Sequence, residues 1–171
     1  MKFRNDCGRS MIEMILYLGL IVVLTASTLR MYADSVEKTR NIKLETIVDE
    51  LKEDVNTYYL GRPLPSDWNK FITDIGGSAK VVDPWGGKIT ILTGKEVADT
   101  VYSKANFGFK ISGKAIDTKR CINIGNIFIS KGAFAVKVNS DDISGVNLEI
   151  SSIAAACKSD DNTVEGYFYK D

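Results

Sequence analysis

The chain carries the run MIEMILYLGLIVVL at residues 11–24, and this apolar stretch with its single carboxylate, Glu13, decides the fold. Residues 14–29 are mostly apolar, and the basic residues Lys2 and Arg4 precede them, as on the cytoplasmic flank of a membrane segment. The segment reaches the roughly 20 residues that span a bilayer if the helix begins at Met11. A carboxylate beside hydrocarbon costs roughly 2.5–3.5 kcal/mol, so it is normally kept for a purpose and has a partner.

The apolar run continues into a second helical stretch, because residues 30–59 contain neither proline nor glycine. Apolar residues recur there at helical spacing: Leu44, Ile47, Val48, Leu51, Val55 and Tyr58. Gly61, Pro63 and Pro65 then end the helix. We therefore expect one helix from about Ser10 to Tyr59, about 75 Å long, apolar all round in its first half and amphipathic in its second.

The rest of the chain predicts a small head, built as a mostly antiparallel sheet with short helices. Ser66 or Asp67 is placed to cap a short helix that runs through Ile75, and the sequence VDPWGG at residues 82–87 indicates a turn. Four stretches have the composition of strands: residues 88–93, 107–111, 133–138 and 164–169. The secondary structure of residues 117–127 and 148–157 is uncertain from the pattern, although residues 151–157 favour a helix.

The composition argues against catalysis. Lys and Arg number 22 and Asp and Glu number 22, so net charge indicates no nucleic-acid partner. The absence of histidine removes the commonest general base and the commonest zinc ligand. The aspartate pairs at residues 141–142 and 160–161 lack the spaced acidic residues and the final glutamate of an EF-hand calcium loop. We interpret them as solvated loop carboxylates. We expect no enzyme activity, no cofactor and no metal site.

Gly8, followed by four residues and then Glu13 ahead of the apolar run, resembles the processing site of type IV prepilins and pseudopilins. The resemblance implies that prepilin peptidase removes a leader of residues 1–8, so that the mature chain begins at Arg9. The family's first mature residue is usually Phe or Met and is often N-methylated, whereas here it is Arg9.

The same resemblance implies the α+β pilin fold and its organisation. Residues 9–30 would form the transmembrane and filament-core half of the helix, residues 31–60 its amphipathic half, and residues 61–171 the globular head. The amine of Arg9 would pair with Glu13 of an adjacent copy. The precursor would lie in the bacterial inner membrane, with its apolar half in the lipid bilayer and its head in the periplasm. Inner-membrane assembly machinery would then build copies of the chain and minor pilins into an extracellular filament for conjugation or adhesion.

The head adds a second resemblance. Asp83-Pro-Trp-Gly-Gly87, the alternating Phe107-x-Phe-x-Ile111 and the two cysteines of the head are similar to type IVb pilins of thin conjugative pili. This resemblance implies a disulfide between Cys121 and Cys157 that encloses the surface-exposed variable region. Removal of the leader takes Cys7 away and leaves that even pair, as an oxidising compartment favours. From the residues alone, two buried free thiols remain an alternative.

Other interpretations of the N-terminal segment stay open at this stage. A secretory signal peptide would end in the small residues around Ala26, and a simple anchor would carry a coiled-coil stalk. Within the resembled class, the alternative is a minor pilin or a type II secretion pseudopilin. Outside it, the alternative is a membrane-anchored binding protein that does not polymerise.

Overall fold

The computed structural model describes residues 6–94, 106–112, 116–158 and 161–170, with the backbone alone for residues 6–10. It divides into two compact units, Met1–Thr39 and Arg40–Asp171. Helix α1, Asp6–Tyr58, contributes to both of them. The prediction of one long N-terminal helix is confirmed, and the helix begins at Asp6, before the predicted start at Ser10.

The second unit contains the end of α1 and all of the remaining elements. The helices are α2 (Asn69–Asp74), α3 (Thr118–Ser130) and α4 (Ile150–Ala156), and two 3-10 turns span Ser78–Val81 and Gly145–Asn147. The strands are β1 (Lys88–Thr93), β2 (Asn106–Ser112), β3 (Ala135–Val138), β4 (Asp141–Ser144) and β5 (Thr163–Tyr169). The fold class is therefore α+β, as expected.

The five strands form one sheet in the order β1-β2-β5-β3-β4, and each of its neighbouring pairs is antiparallel. Strand β5 follows last in the sequence and lies between β2 and β3, so Gly166 is opposite Phe109 on one side and Val136 on the other. Alternate side chains of the sheet form one apolar face, and its largest fully buried members are Phe107, Phe109, Phe168, Ile89 and Ile111.

The amphipathic part of α1 packs its apolar stripe into the same core as the sheet. Its buried residues are Leu44, Val48, Leu51 and Val55, and Ile47 and Tyr58 are partly buried against the core. Tyr59, directly after α1, is buried as well. The spacing of this stripe is that of one face of an α-helix. The predicted stripe is confirmed, with Tyr59 more deeply buried than Tyr58.

Helices α3 and α4 approach closely because α3 carries a glycine at their contact. A Cβ atom at Gly125 would lie 2.7 Å from Ile153 Cγ2 of α4, closer than real Cβ atoms come. Ile153 is fully buried and fills the space that the missing side chain leaves. Asp117 is the N-cap of α3, and its carboxylate accepts a hydrogen bond from the backbone amide of Arg120 at 2.7 Å.

The turn predicted at residues 82–87 is organised by the buried carboxylate of Asp83. Its Oδ1 accepts hydrogen bonds from the amides of Trp85 at 2.7 Å and Gly87 at 3.0 Å. Gly86 has a φ of 88°, a conformation that glycine adopts without strain. The turn leads directly into β1 through a bridge between Val82 and Lys88.

Two local predictions are corrected. The N-cap of α2 is Trp68 and not Ser66 or Asp67, although Asp67 Oδ1 accepts a hydrogen bond from the Asn69 amide at 3.0 Å. Asp141 and Asp142 lie in β4 and not in a loop, because backbone pairing with Val138 and Lys137 places them there despite their poor strand propensity. Both carboxylates are exposed, and Asp160 lies outside the described residues.

Candidate functional site

The N-terminal part of α1 exposes its side chains on every face. All side chains of residues 11–35 are exposed, and the large apolar ones range from Leu18 at 55% to Met31 at 73%. Glu13 is exposed among them. A helix that is apolar all round is suited to a membrane or to the interior of an assembly rather than to water.

The hydroxyl groups of this segment satisfy their hydrogen bonds within the helix. Thr25, Ser27 and Thr28 donate to the carbonyl oxygens of Ile21, Val23 and Leu24 at distances of 2.7, 2.9 and 3.1 Å. Polar groups in hydrocarbon need internal partners because no water is available. These residues are therefore compatible with a bilayer despite their polarity.

By length and composition, Met11–Tyr58 is a candidate membrane-spanning helix, and a signal sequence near an N-terminus satisfies the same test. Gly8 and Arg9 lie in the first turns of α1, where the structure describes the backbone alone. The processing site at Gly8–Arg9 and the pairing of Arg9 with Glu13 therefore stay predictions.

The end of α1 is fixed to the head by an aromatic cluster. The ring centroid of Trp68 lies 5.6 Å from that of Tyr59 and 5.7 Å from that of Phe71, in edge-to-face arrangements. The hydroxyl of Tyr58 donates a hydrogen bond to Asp74 of α2. The segment after α1 therefore folds back over the last turn of the helix.

Two lysines connect the middle of the amphipathic stretch to α3 and the sheet. Lys131 Nζ pairs with Asp49 Oδ2 at 2.6 Å and lies 4.0 Å from Glu45 Oε2. The hydrogen bond to Asp49 raises the pKa of Lys131 above its ordinary value. Lys52 Nζ donates to the Lys131 carbonyl at 2.7 Å and lies 5.0 Å from the centroid of the Phe168 ring.

A disulfide joins Cys121 of α3 to Cys157 at the end of α4. Both cysteines are buried, with exposures of 0% and 3%. The bond encloses β3, β4 and α4, and the tip of the enclosed segment exposes Val146 at 94%. The structure thus contains the disulfide that the resemblance to pilins implied.

The outer face of the sheet carries a buried polar group, the carboxylate of Glu165. Its Oε1 pairs with Lys110 Nζ at 3.0 Å, and its Oε2 accepts a hydrogen bond from the Tyr167 hydroxyl at 2.7 Å. Burial and this hydrogen bond raise the pKa of Tyr167 above its ordinary value. Both carboxylate oxygens are therefore satisfied, and the arrangement stabilises the sheet. Within the described residues, no cluster of three or more potential ligands could hold a metal ion.

The family model described as PilS N terminal matches residues 62–166, which is more than half of the chain. The chain belongs to this family of type IV pilins. It is thus a structural subunit, and its family implies self-assembly into filaments.

Among solved structures, this pilin is similar to a type IV b pilin from Salmonella typhi. The two are 14% identical with a TM-score of 0.49, and the match covers 75% of this chain and 97% of that one. No curated protein matches the pilin.

One polar pair in the pilin head was missed by the sequence analysis. Asn139 and Asn162 form a hydrogen-bonded pair beside the disulfide. The sequence offered only a weak signal, the turn composition Asn139-Ser140-Asp141, which favours a left-handed residue between two strands. The φ of 56° at Asn139 agrees with that composition.

Proposed function

We propose that this pilin is made as an inner-membrane precursor and polymerises, after removal of residues 1–8, into a type IVb-like surface filament. The observation that carries the proposal is the segment of α1 at residues 11–29, which exposes apolar side chains on every face and contains a single acid, Glu13. Such a surface is costly in water and needs lipid or other copies of itself around it. Membership of the pilin family favours lipid around the precursor and other copies of the chain around it in the filament.

Before assembly, residues 9–30 would lie in the lipid bilayer with the head in the periplasm. The disulfide between Cys121 and Cys157 supports this placement, because such bonds form in oxidising compartments. Prepilin peptidase would cut between Gly8 and Arg9 on the cytoplasmic side. The intact mass of the processed chain would also show whether Arg9 carries the family's N-methyl group.

During assembly, the new ammonium of Arg9 would pair with Glu13 of an adjacent copy. An ion pair gains value where water is scarce, while an unpaired carboxylate there is costly. The pairing would therefore fix the axial register of each added subunit. Residues 14–29 of many copies would then form the filament core, with minor pilins and the inner-membrane machinery as partners.

The heads would cover the outside of the filament and expose the segment that the disulfide encloses. This segment has the most exposed apolar side chain of the described head, Val146. An exposed and covalently closed segment is suited to contacts with another cell or surface, so we propose conjugation or adhesion as the role of the filament.

The test is the intact mass of the membrane-extracted protein with and without a co-expressed prepilin peptidase. The proposal predicts that residues 1–8 are lost only with the enzyme, and that Gly8→Ser prevents the loss. Removal of the whole apolar segment would show a signal peptide. No change in mass would favour a membrane-anchored protein that does not polymerise.

A processed chain that appears only at trace levels in filaments would indicate a minor pilin or a type II secretion pseudopilin. Quantification of the chain in sheared surface filaments distinguishes these alternatives from a major subunit.

A further inference from the structure

A hydrogen-bond network centred on two asparagines lies beside the disulfide of the head. Asn162 is 1% exposed, its Nδ2 donates to the Ile116 carbonyl at 2.9 Å, and its Oδ1 accepts from Asn139 Nδ2 at 2.9 Å. Asn139 Oδ1 accepts from the Thr163 amide at 2.9 Å. Three separate parts of the head, at Ile116, Asn139 and residues 162–163, therefore meet at this pair of side chains.

The network holds both ends of the disulfide region. Ile116 directly precedes the N-cap of α3, the helix that carries Cys121. Asn139 Nδ2 also lies 3.4 Å from the carbonyl of Ala156, the residue before Cys157. Movement of either cysteine away from the other would therefore strain or break these bonds.

We propose that Asn139 and Asn162 form a latch that must open before an external thiol can reduce the Cys121–Cys157 disulfide. Reduction requires a thiolate to approach one sulfur along the S–S axis, and both cysteines are buried. The opening is release of α4, a short helix whose last residue, Ala156, accepts a hydrogen bond from Asn139. The latch protects the closed segment kinetically, and this inference does not depend on filament assembly.

The test measures the rate at which dithiothreitol reduces the folded full-length protein in detergent. One dithiothreitol thiolate attacks a cysteine sulfur and forms a mixed disulfide, releasing the other cysteine as a thiolate. The second dithiothreitol thiol then closes its own ring, so two protein thiols form and dithiothreitol is oxidised. Alkylation and mass spectrometry count the new thiols, with Cys7→Ala in every variant so that only the disulfide contributes.

Asn139→Gly is the sharpest variant, because glycine keeps the left-handed conformation at φ 56° while the side-chain hydrogen bonds are lost. Asn147→Gly is the matched control, since Asn147 is exposed in the same enclosed segment. We expect about a tenfold or greater increase in reduction rate for Asn139→Gly, from the loss of two to three hydrogen bonds. The control should stay within about twofold of the parent protein, since exposed substitutions usually have small effects.

Equal rates for Asn139→Gly and Asn147→Gly would overturn the latch. Low concentrations of urea provide a second criterion, because local opening exposes little surface and depends weakly on denaturant. A reduction rate that rises with urea as steeply as global unfolding would also contradict the proposal. If Asn139→Gly does not fold, Asn162→Leu decides by the same comparison, since leucine has a similar size and can neither donate to the Ile116 carbonyl nor accept from Asn139.

Discussion

Lys131 Nζ lies 2.6 Å from Asp49 Oδ2, so an ion pair joins the end of α3 to the amphipathic part of α1. The adjacent Lys52 makes the complementary contact, from α1 to the carbonyl of Lys131. In the first contact a lysine at the end of α3 binds a carboxylate of α1, and in the second a lysine of α1 binds a backbone carbonyl at the end of α3. They add polar contacts to the packing of the apolar stripe of α1 against the head.

Lys131→Met should lower the free energy of unfolding of the head by about 0.5–1 kcal/mol, as expected for a partly exposed ion pair. The difference from the parent protein should shrink as salt is raised, because salt screens the interaction. Urea unfolding at low and high NaCl measures both effects. Lys70→Met, at an exposed lysine of α2, is the control. A salt-independent difference would show that packing of the lysine stem, and not its charge, is responsible.

Tyr167→Phe should lower the stability at neutral pH by about 1–2 kcal/mol, because it removes the hydrogen bond to the buried carboxylate of Glu165. The pKa of Tyr167 is raised in the folded state above its ordinary 10.0. Its contribution is therefore complete below pH 10 and declines above it, where the unfolded chain loses the proton and the folded chain keeps it. The variant should show a shallower alkaline decline in stability.

Urea unfolding between pH 8 and 11 (roughly one unit beyond the ordinary tyrosine pKa) measures this decline. Tyr169→Phe keeps the contact between Tyr167 and Glu165 and serves as the control. Parallel stability curves for the parent protein and Tyr167→Phe would contradict the assignment.

Gly125→Ala should destabilise the head by about 1–3 kcal/mol, because the added methyl group forces α3 away from Ile153. Gly19→Ala is the matched control on a helix, since no atom lies within 4 Å of the position of its added Cβ. The control should leave unfolding of the head unchanged. Thermal unfolding followed by near-ultraviolet circular dichroism compares the two, and equal transition temperatures would show that α3 and α4 are not closely packed.

Glu13→Ala should retain membrane insertion and processing but lose filaments, because the new amine of Arg9 would have no carboxylate to pair with in the core. Glu50→Ala removes an exposed acid from the amphipathic part of α1 and should assemble normally. Electron microscopy of sheared surface material, with intact mass of the membrane fraction, checks both. Normal filaments from Glu13→Ala would contradict the proposed pairing of Arg9 with Glu13.

Local signals predicted the elements in which pattern and burial coincide. Strand β1 occupies Lys88–Thr93 as predicted, because the turn at residues 82–87 and the alternation of Ile89 and Ile91 indicate the same start and face. The end of α1 at Tyr58 follows from Gly61, which has a φ of 68°. Both features depend on residues that are close in sequence, so the local sequence pattern is enough to predict them.

Long-range pairing could not be predicted in the same way. Nothing in residues 163–169 specifies that β5 inserts between β2 and β3, because alternation indicates the buried face but not the partner strand. Strand β4 was missed since Asp141 and Asp142 resemble a loop, and its identity comes only from pairing with β3. The bond between Asn139 and Asn162 likewise joins residues far apart in sequence.

The central claim, polymerisation of a processed pilin, is tested most directly by sequencing the N-terminal peptide of this chain from surface filaments. The account predicts abundant filament protein whose first residue is Arg9. Filaments that lack the chain, or that contain it with residues 1–8 still attached, would contradict it.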